Sequence, residues 1–362
     1  MRELSTVKKF GETSPELYKV FKDYADHVRS TRGAKGKTFS DKSLDDKEKV
    51  INKLFAEEVA KRSKISVKEY DGDIMHYSMN PVVKSFADAI KDQMIDMILP
   101  ETLFGSLGLI ADIRFADWGD SLSFDIENNG LYTVSKAGYR QRTAPAQRLE
   151  DTTVTLAPVN HEVTTYVTLF EILADRKSIA KEIMKIVRSI ESEMLVESYN
   201  AFVAATENGV IPTKLRVDNY EEKELIRLCE TVTAWNGGRK AVIVGTPSAL
   251  KSVLPSELNI RILLDDEYVK TGYLPNFNGY DVIPMAQVAD WASTDYSLKL
   301  DDKKIFIISP ASDKIIKIGV GGTLSHQANL YDNANLQVQH TTTKAWDTQC
   351  ITNSIAGVIE LA

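Results

Sequence analysis

Three short segments carry residue types that could do chemistry. Gly33-Ala-Lys-Gly36-Lys37-Thr38 ends as a phosphate-binding loop does, with glycines that let backbone N–H groups approach an anion and a Lys-Thr pair for phosphate and magnesium. That chemistry needs a first glycine at position 31, where Thr31 stands, and no buried strand leads into the loop. His161-Glu162 opens a zinc-protease pattern, whose second histidine would fall at 165 so that both rings share one helical face; Thr165 is there instead, in a segment that alternates like a strand. Gly319-Val-Gly321-Gly322 lacks the spacing and the following helix of a dinucleotide site, and its pattern predicts a turn between strands. The histidines at 27, 76, 161, 326 and 340 show no metal-ligand spacing, Asp265-Asp266 and Asp301-Asp302 read as solvated loop charge, and no nucleophile has a neighbouring base. The expectation is a protein that is not an enzyme and takes no cofactor or metal.

The elements explain more. Leu122, Phe124 and Ile126 alternate with polar residues, Asn128-Asn129-Gly130 supplies the residues of a tight turn, and Leu131 to Val134 resumes extended character, which predicts a hairpin. Val154 and Leu156 alternate with threonines, and Val163, Thr165, Val167 and Leu169 fall on one face of a further strand. A single amphipathic helix follows from Asp175, with Ala180, Ile183, Met184, Val187, Ile190, Met194, Leu195 and Phe202 at three- and four-residue steps, and Asn208-Gly209 as its C-terminal cap. At 1.5 Å per residue it spans roughly 45 to 50 Å, the length of a spine. Upstream, Ser43 to Asp46 reads as a capping box for a helix with Val50, Ile51, Leu54, Phe55 and Val59 on one face. A second helix is framed by Asn80, Pro81 and a stop at Pro100, with Val83, Phe86, Ala87, Ile90, Met94, Met97 and Ile98 inward. After the spine, a helix over 221–235, a break at Gly237-Gly238, a strand over 240–244, a cap at Thr246-Pro247 and strands over 281–284, 304–309, 315–318 and 355–361 predict a mixed α/β unit.

The composition is that of a folded soluble protein. The 362 residues are 43% hydrophobic and 26% charged, enough for one large or two ordinary domains. Cys229 and Cys350 form no disulfide or metal spacing, which suits synthesis in a reducing cytoplasm, and neither a signal peptide nor a membrane span is expected. The net charge of -7 is uneven: residues 1–75 hold 17 Lys and Arg against 14 Asp and Glu, and the remainder 27 against 37. Within 29–42 the basic residues Arg29, Arg32, Lys35, Lys37 and Lys42 sit among glycines and polar residues, as in a flexible linker that could neutralise phosphates. From 111 to 127 the acids Asp112, Asp117, Asp120, Asp125 and Glu127 face only Arg114, whereas 128–149 carries Lys136, Arg140, Arg142 and Arg148 and no acid. These stretches are solvated loop faces, or complementary surfaces that meet between neighbouring copies.

The order of these parts resembles the major capsid protein family of tailed bacteriophages, the Hong Kong 97 fold, an α+β architecture. Its strand before the spine corresponds to Val163-Thr-Thr-Tyr-Val-Thr-Leu-Phe-Glu-Ile-Leu-Ala-Asp175. Ala241-Val-Ile-Val-Gly-Thr-Pro-Ser-Ala-Leu250 resembles its strand and capped helix, and Gly272-Tyr-Leu-Pro-Asn-Phe-Asn-Gly279 its glycine-punctuated hairpin. Lys344-Ala-Trp346-Asp347 departs from the Asp-Gly turn usual near the family's C-terminus. The resemblance implies a helical N-terminal arm at 1–110 and an extended loop at 111–165 lying on a neighbouring subunit. It further implies a peripheral domain from 166–215 and 311–349 and an axial domain from 216–310 and 350–362 around five- and six-fold axes. The expected partners are the chain itself in hexamers and pentamers, scaffolding, portal and decoration proteins, and non-specific contact with packaged double-stranded DNA, without a membrane. The place of function would be the virion capsid. Lys136, the extended loop's one lysine, shows no partner for a covalent cross-link. Two alternatives are an encapsulin-type compartment of the same fold and a soluble α/β enzyme without a recognisable motif.

Overall fold

The computed structural model describes residues 5–32, 43–117, 120–126, 128, 131–136, 146–207, 211–255, 268, 270–310, 313–327 and 340–361. The fold is α+β. Helices α1 (Ser5–Thr13), α2 (Pro15–Arg32), α3 (Leu44–Ser63), α4 (Ile74–Met79) and α5 (Pro81–Ser106) lead into strands β1 (Ala111–Phe115), β2 (Leu122–Ile126), β3 (Thr152–Leu156) and β4 (Val159–Thr165). A short helix α6 (Leu169–Leu173) precedes the spine α7 (Ile179–Glu207). Then come β5 (Arg216–Asp218), α8 (Glu222–Trp235), β6 (Val242–Gly245), α9 (Pro247–Leu250), β7 (Asn276–Phe277), β8 (Tyr280–Pro284), β9 (Lys304–Ile308), β10 (Ile316–Gln327), β11 (His340–Cys350) and β12 (Gly357–Glu360). The strands form a four-stranded sheet ordered β1-β10-β11-β4, a six-stranded sheet ordered β5-β12-β9-β6-β8-β7, and the two-stranded ribbon β2-β3.

The spine organises the core. Ile183, Val187, Ile190, Met194, Tyr199 and Phe202 are buried in one apolar cluster with Phe10, Phe21, Ile51 and Phe55 from the N-terminal helices and Ile90, Met94 and Ile98 from α5. The N-terminal helices are therefore a layer packed on the spine. The six-stranded sheet is apolar on both faces, as its continuous runs require: on β9, Phe306 and Ile308 join the spine's cluster, while Ile305 and Ile307 join a second cluster with Leu225, Leu228, Cys229 and Val232 of α8. The Phe202 and Phe306 rings stack with centroids 4.9 Å apart.

The first turn of α7 is capped from another element. The buried Asn52 of α3 accepts from the Ile179 N–H at 3.0 Å and donates to the Asp175 carboxylate at 2.7 Å and the Lys177 carbonyl at 3.0 Å. Asp175 itself has φ of 53°. Every hydrogen-bonding atom of this amide is used, and it binds two helices together.

A polar seam joins α5 to the four-stranded sheet. Asp88, Asp92 and Asp96, one helical turn apart, face β10 and β11. Asp96 takes the buried Lys344 ammonium at 2.7 Å, the Thr323 hydroxyl and the Thr6 hydroxyl; Asp92 accepts from the Ser325 N–H at 3.1 Å; Asp88 meets His340 Nε2 at 2.8 Å. Burial pushes the Asp92 carboxyl up to about 6, against the Ser325 hydrogen bond and with help from the Asp96 and Asp88 charges. Lys91, also buried, is pushed down by burial against the pull of Asp88, Glu182 and Asp92.

Several expectations need correction. The α5 helix runs through Pro100 to Ser106, because Leu99, Leu103 and Leu107 continue its buried stripe beyond the proline. The proline removes one intrahelical donor there, and the stripe outweighs that loss. Leu122 to Ile126 do not pair with 131–134; they pair with 152–156, Leu122 opposite Leu156 and Ile126 opposite Thr152. Leu169 starts α6, since Thr168 caps it with a box closed by Glu171. The run Gly319 to Gly322 lies inside β10 at a register shift between Val320 and Thr323, so it is a bulged strand and no turn. Val50 is exposed, and Phe86 only half-buried. Ser43 caps α3 through the Asp46 N–H, with the Asp46 carboxylate bonded to the Ser43 hydroxyl. The Asn208-Gly209 cap lies outside the described residues.

Two outcomes follow. Asn52→Ala strands the buried Ile179 N–H and takes a partner from the exposed Asp175 carboxylate, and should lower unfolding free energy by about 1–2 kcal/mol, read by urea denaturation. For Asp92 the folded carboxyl holds its proton more tightly than the unfolded one, so its unfavourable effect on stability is absent below about pH 4, grows as pH rises and is fully present above about 6. Asp92→Asn should accordingly raise the melting temperature at pH 7–8, by an amount equivalent to about 1–2 kcal/mol after the loss of a favourable charge near Lys91, and leave it unchanged at pH 4.

Candidate assembly interface

The ribbon β2-β3 leaves the four-stranded sheet on the face away from Lys344. Its root is a small core of Ala116, Leu122, Phe124 and Leu156, with Ile351 packed against it. Close approach depends on Gly319, where a Cβ would lie 3.0 Å from Leu122 Cδ1 and 3.4 Å from Leu156 Cδ1. Arg114 fixes the departure angle: its guanidinium donates to the Ser123 carbonyl, sits 4.7 Å from the Phe124 ring centroid and pairs with Asp112 at 3.6 Å. Beyond the root the ribbon is held by side chains. The Thr153 hydroxyl donates to Asp125 at 2.9 Å, the Asn128 N–H to Asp151 at 2.9 Å, and Gln147 exchanges two 2.8 Å bonds with the backbone of Thr133. Leu131, Tyr132 and Val134 are 79%, 60% and 94% exposed.

The charged stretches divide. Asp112 and Asp125 already have partners in their own chain, Arg114 and Thr153. Asp120 and Lys136 are exposed and Asp117 half-buried, and Arg148 pairs with Glu150 within the chain. Glu127, Arg140 and Arg142 lie outside the described residues. In the basic linker, Arg29 ends in contacts with Glu101 at 2.8 Å and Asp26 at 3.4 Å. Burial raises the Glu101 carboxyl, but the hydrogen bonds and charges of Arg29 and Lys22 outweigh it and hold it below its ordinary value. Arg29 is thus turned toward its own chain. Lys35, Lys37 and Lys42 lie outside the described residues, as does the side chain of Arg32, so the expected phosphate contacts rest on composition.

Where the ribbon's returning chain rejoins the sheet, a stacked pair marks the junction. His161 of β4 and Trp346 of β11 lie with ring centroids 3.6 Å apart and planes at 15°. Trp346 donates to Glu197 of the spine at 2.7 Å, and His161 Nδ1 lies 3.7 Å from the same carboxylate. Burial pushes the Glu197 carboxyl up, opposed by the Trp346 hydrogen bond and the His161 charge. The zinc-like His161-Glu162 is therefore on a strand, and no cluster of three metal-ligating groups occurs among the described residues. Burial pushes the Cys229 thiol up to about 12 and that of Cys350 to about 11, away from nucleophilic reactivity. No helix among the described residues is long and apolar enough to cross a membrane. Sequence reading missed the Asp88-Asp92-Asp96 series, whose signal was three acids at four-residue spacing beside the apolar stripe of α5.

No protein-family model matches the chain, and no curated protein does. Among solved structures it is similar to the mature capsid of bacteriophage PhiM1, at 11% identity, covering 70% of this chain and 86% of that one with a TM-score of 0.42. It is likewise similar to the virus-like particle from Pyrococcus furiosus, at 10% identity, covering 72% and 96% with a TM-score of 0.41. The encapsulin complex from Synechococcus elongatus matches at 11% identity, covering 70% and 86% with a TM-score of 0.39.

The root geometry can be tested directly. Gly319→Val places branched carbons where Leu122 and Leu156 pack and should loosen the ribbon with little loss of global stability, at most about 1–3 kcal/mol. Hydrogen exchange is the readout: protection should fall in 122–126 and 152–156 and persist in 183–202. Uniform loss across both regions would show that the ribbon root is part of the central core.

Proposed function

We propose that this chain is the repeating subunit of a closed icosahedral shell, the capsid of a tailed bacteriophage that encloses double-stranded DNA. The observation that carries the proposal is the ribbon. Its apolar burial lies on the paired strands, at Leu122, Phe124, Ile126 and Leu156, while Leu131, Tyr132 and Val134 stand in solvent on a stretch held by Gln147. Exposed apolar groups on a projecting, shaped element mark an interaction site. A contact between the ribbon of one copy and the body of the next is heterologous, and such contacts close into rings when the rotation permits. In this proposal residues 111–165 form the loop that reaches the neighbour, 166–215 with 311–349 the peripheral domain, and 216–310 with 350–362 the axial domain at five- and six-fold positions. The N-terminal helices, expected as an arm, brace the peripheral domain.

Shell assembly does not need strong individual contacts. Exposed ion pairs contribute about 0 to 1 kcal/mol each, and their repetition through many subunits makes the sum decisive. Asp120, Lys136, Arg140 and Arg142 are proposed as inter-subunit charges, with Asp117, Glu127 and Arg148 beside them. Arg32, Lys35, Lys37 and Lys42 are proposed to neutralise packaged DNA without base readout. Those basic residues favour nucleic-acid cargo over the enzyme cargo of an encapsulin-type compartment. Scaffolding, portal and decoration proteins are the further partners of a phage shell.

The test is to express the chain alone and with a scaffolding protein, and to examine the product by size-exclusion chromatography and negative-stain microscopy. Closed particles are expected, with yield falling as salt rises because exposed pairs are screened. Arg140→Glu, Arg142→Glu and Arg148→Glu combined should leave the circular dichroism unchanged and lower particle yield. Monomers or dimers alone under all these conditions would overturn the proposal, and nuclease-protected DNA inside virions separates a phage capsid from an enzyme compartment.

A further inference from the structure

We infer that residues 131–136 of one copy add as a fifth strand to the open edge of β4 in a neighbouring copy; the inference rests on the shell proposal and specifies how its subunits join. β4 is the terminal strand of its sheet, seven residues long, paired on one side only, with β11. Antiparallel pairing uses the backbone groups of alternate residues on each side, so the other set points away from β11. Those groups have no hydrogen-bond partner among the described residues. Edges of this kind are normally blunted by lysine, proline or a bulge. The stretch Val159–Thr165 has no lysine, proline or bulge and a single acid, Glu162, and Val159 and Tyr166 at its two ends are 63% and 57% exposed.

The complementary element is the ribbon's far stretch, Leu131-Tyr-Thr-Val-Ser-Lys136, exposed throughout. Gln147 satisfies both the N–H and the C=O of Thr133, each at 2.8 Å, and so imitates a strand partner on one side. In an extended chain successive residues direct their backbone groups to opposite sides. As an added strand, Tyr132 and Val134 would present theirs to the other side, where nothing among the described residues meets them. Length and charge also match. Six residues match seven in length, and the exposed Lys136 and Glu162 have no ion-pair partner among the described residues, so each is available to the other. Strand addition also explains the composition of the segment: backbone hydrogen bonds give affinity, and alternate side chains such as Tyr132 and Val134 set the register.

The experiment compares particle yield with protomer folding for three variants and one pair. Val134→Pro removes the N–H aimed away from Gln147 while favouring the extended conformation of Thr133 before it. It should keep the wild-type circular dichroism and melting temperature and lower particle yield at least tenfold. Lys136→Glu and Glu162→Lys should each reduce yield several-fold, and the two together should restore it. Wild-type shells with an undiminished yield from Val134→Pro, or a double charge exchange no better than the single ones, would overturn strand addition and leave the shell proposal standing. Absence of particles from the wild-type chain would remove both.

Discussion

A helix of 29 residues with an apolar stripe along its length must be covered along that whole length, and the layout of this protein follows from how α7 is covered. No single neighbour is long enough. The helical layer of α1, α2, α3 and α5 and the four-stranded sheet cover part of it, and the six-stranded sheet covers its C-terminal part through Phe306 against Tyr199 and Phe202. Two sheets that share no strand are thereby held in one core. The Asn52 amide then fixes where the helix starts, and the Tyr199 hydroxyl, donating to the Asp301 carbonyl at 2.7 Å, ties it to the loop before β9.

Coverage by apolar contact alone would leave the α5 layer free to slide on the sheet. The Asp96-Lys344 pair prevents that. Both groups are nearly inaccessible to water, so the pair contributes little net stability after desolvation, yet any shift that separated it would strand two buried charges. Thr323 and Thr6 complete the carboxylate's hydrogen bonds. The seam thus sets register more than it adds stability, and a fixed register is what a platform for a projecting ribbon needs.

The apolar periodicity of α3, α5 and α7 and the two-faced run of β9 were legible, because the burial that stabilises them is written in consecutive residues. So were Asn80, Thr246 and Ser43 as caps, whose bonds close within three residues. What stayed hidden depends on distant partners. Asn52 caps a helix 127 positions away, Asp96 finds Lys344 across 248, and Leu122 pairs with Leu156 where the nearby Asn-Gly signal pointed to 131. Pro100 misled for the opposite reason: a strong local stop signal lost to burial of Leu99 and Leu103. The charge pattern of 111–149 was legible as a pattern, but its division between internal pairs and free charges was not, since Asp125 and Arg148 find their partners on the returning strand side at Thr153 and Glu150.

The ribbon stands apart from this economy of burial. An isolated two-stranded ribbon is at best marginally stable in water, and this one has a root of four buried side chains and a distal part joined by a few polar contacts. A chain that covers α7 so completely and leaves Val134 94% exposed has two solutions to the same problem of apolar surface, one inside the protomer and one outside it. In the proposed shell the outer one is completed by another molecule, so folding of the ribbon and association of subunits would be coupled steps. Coupling of that kind makes each contact weak, because ordering costs are met on binding, and makes it reversible. In the proposed shell, that reversibility would let misplaced subunits leave before closure.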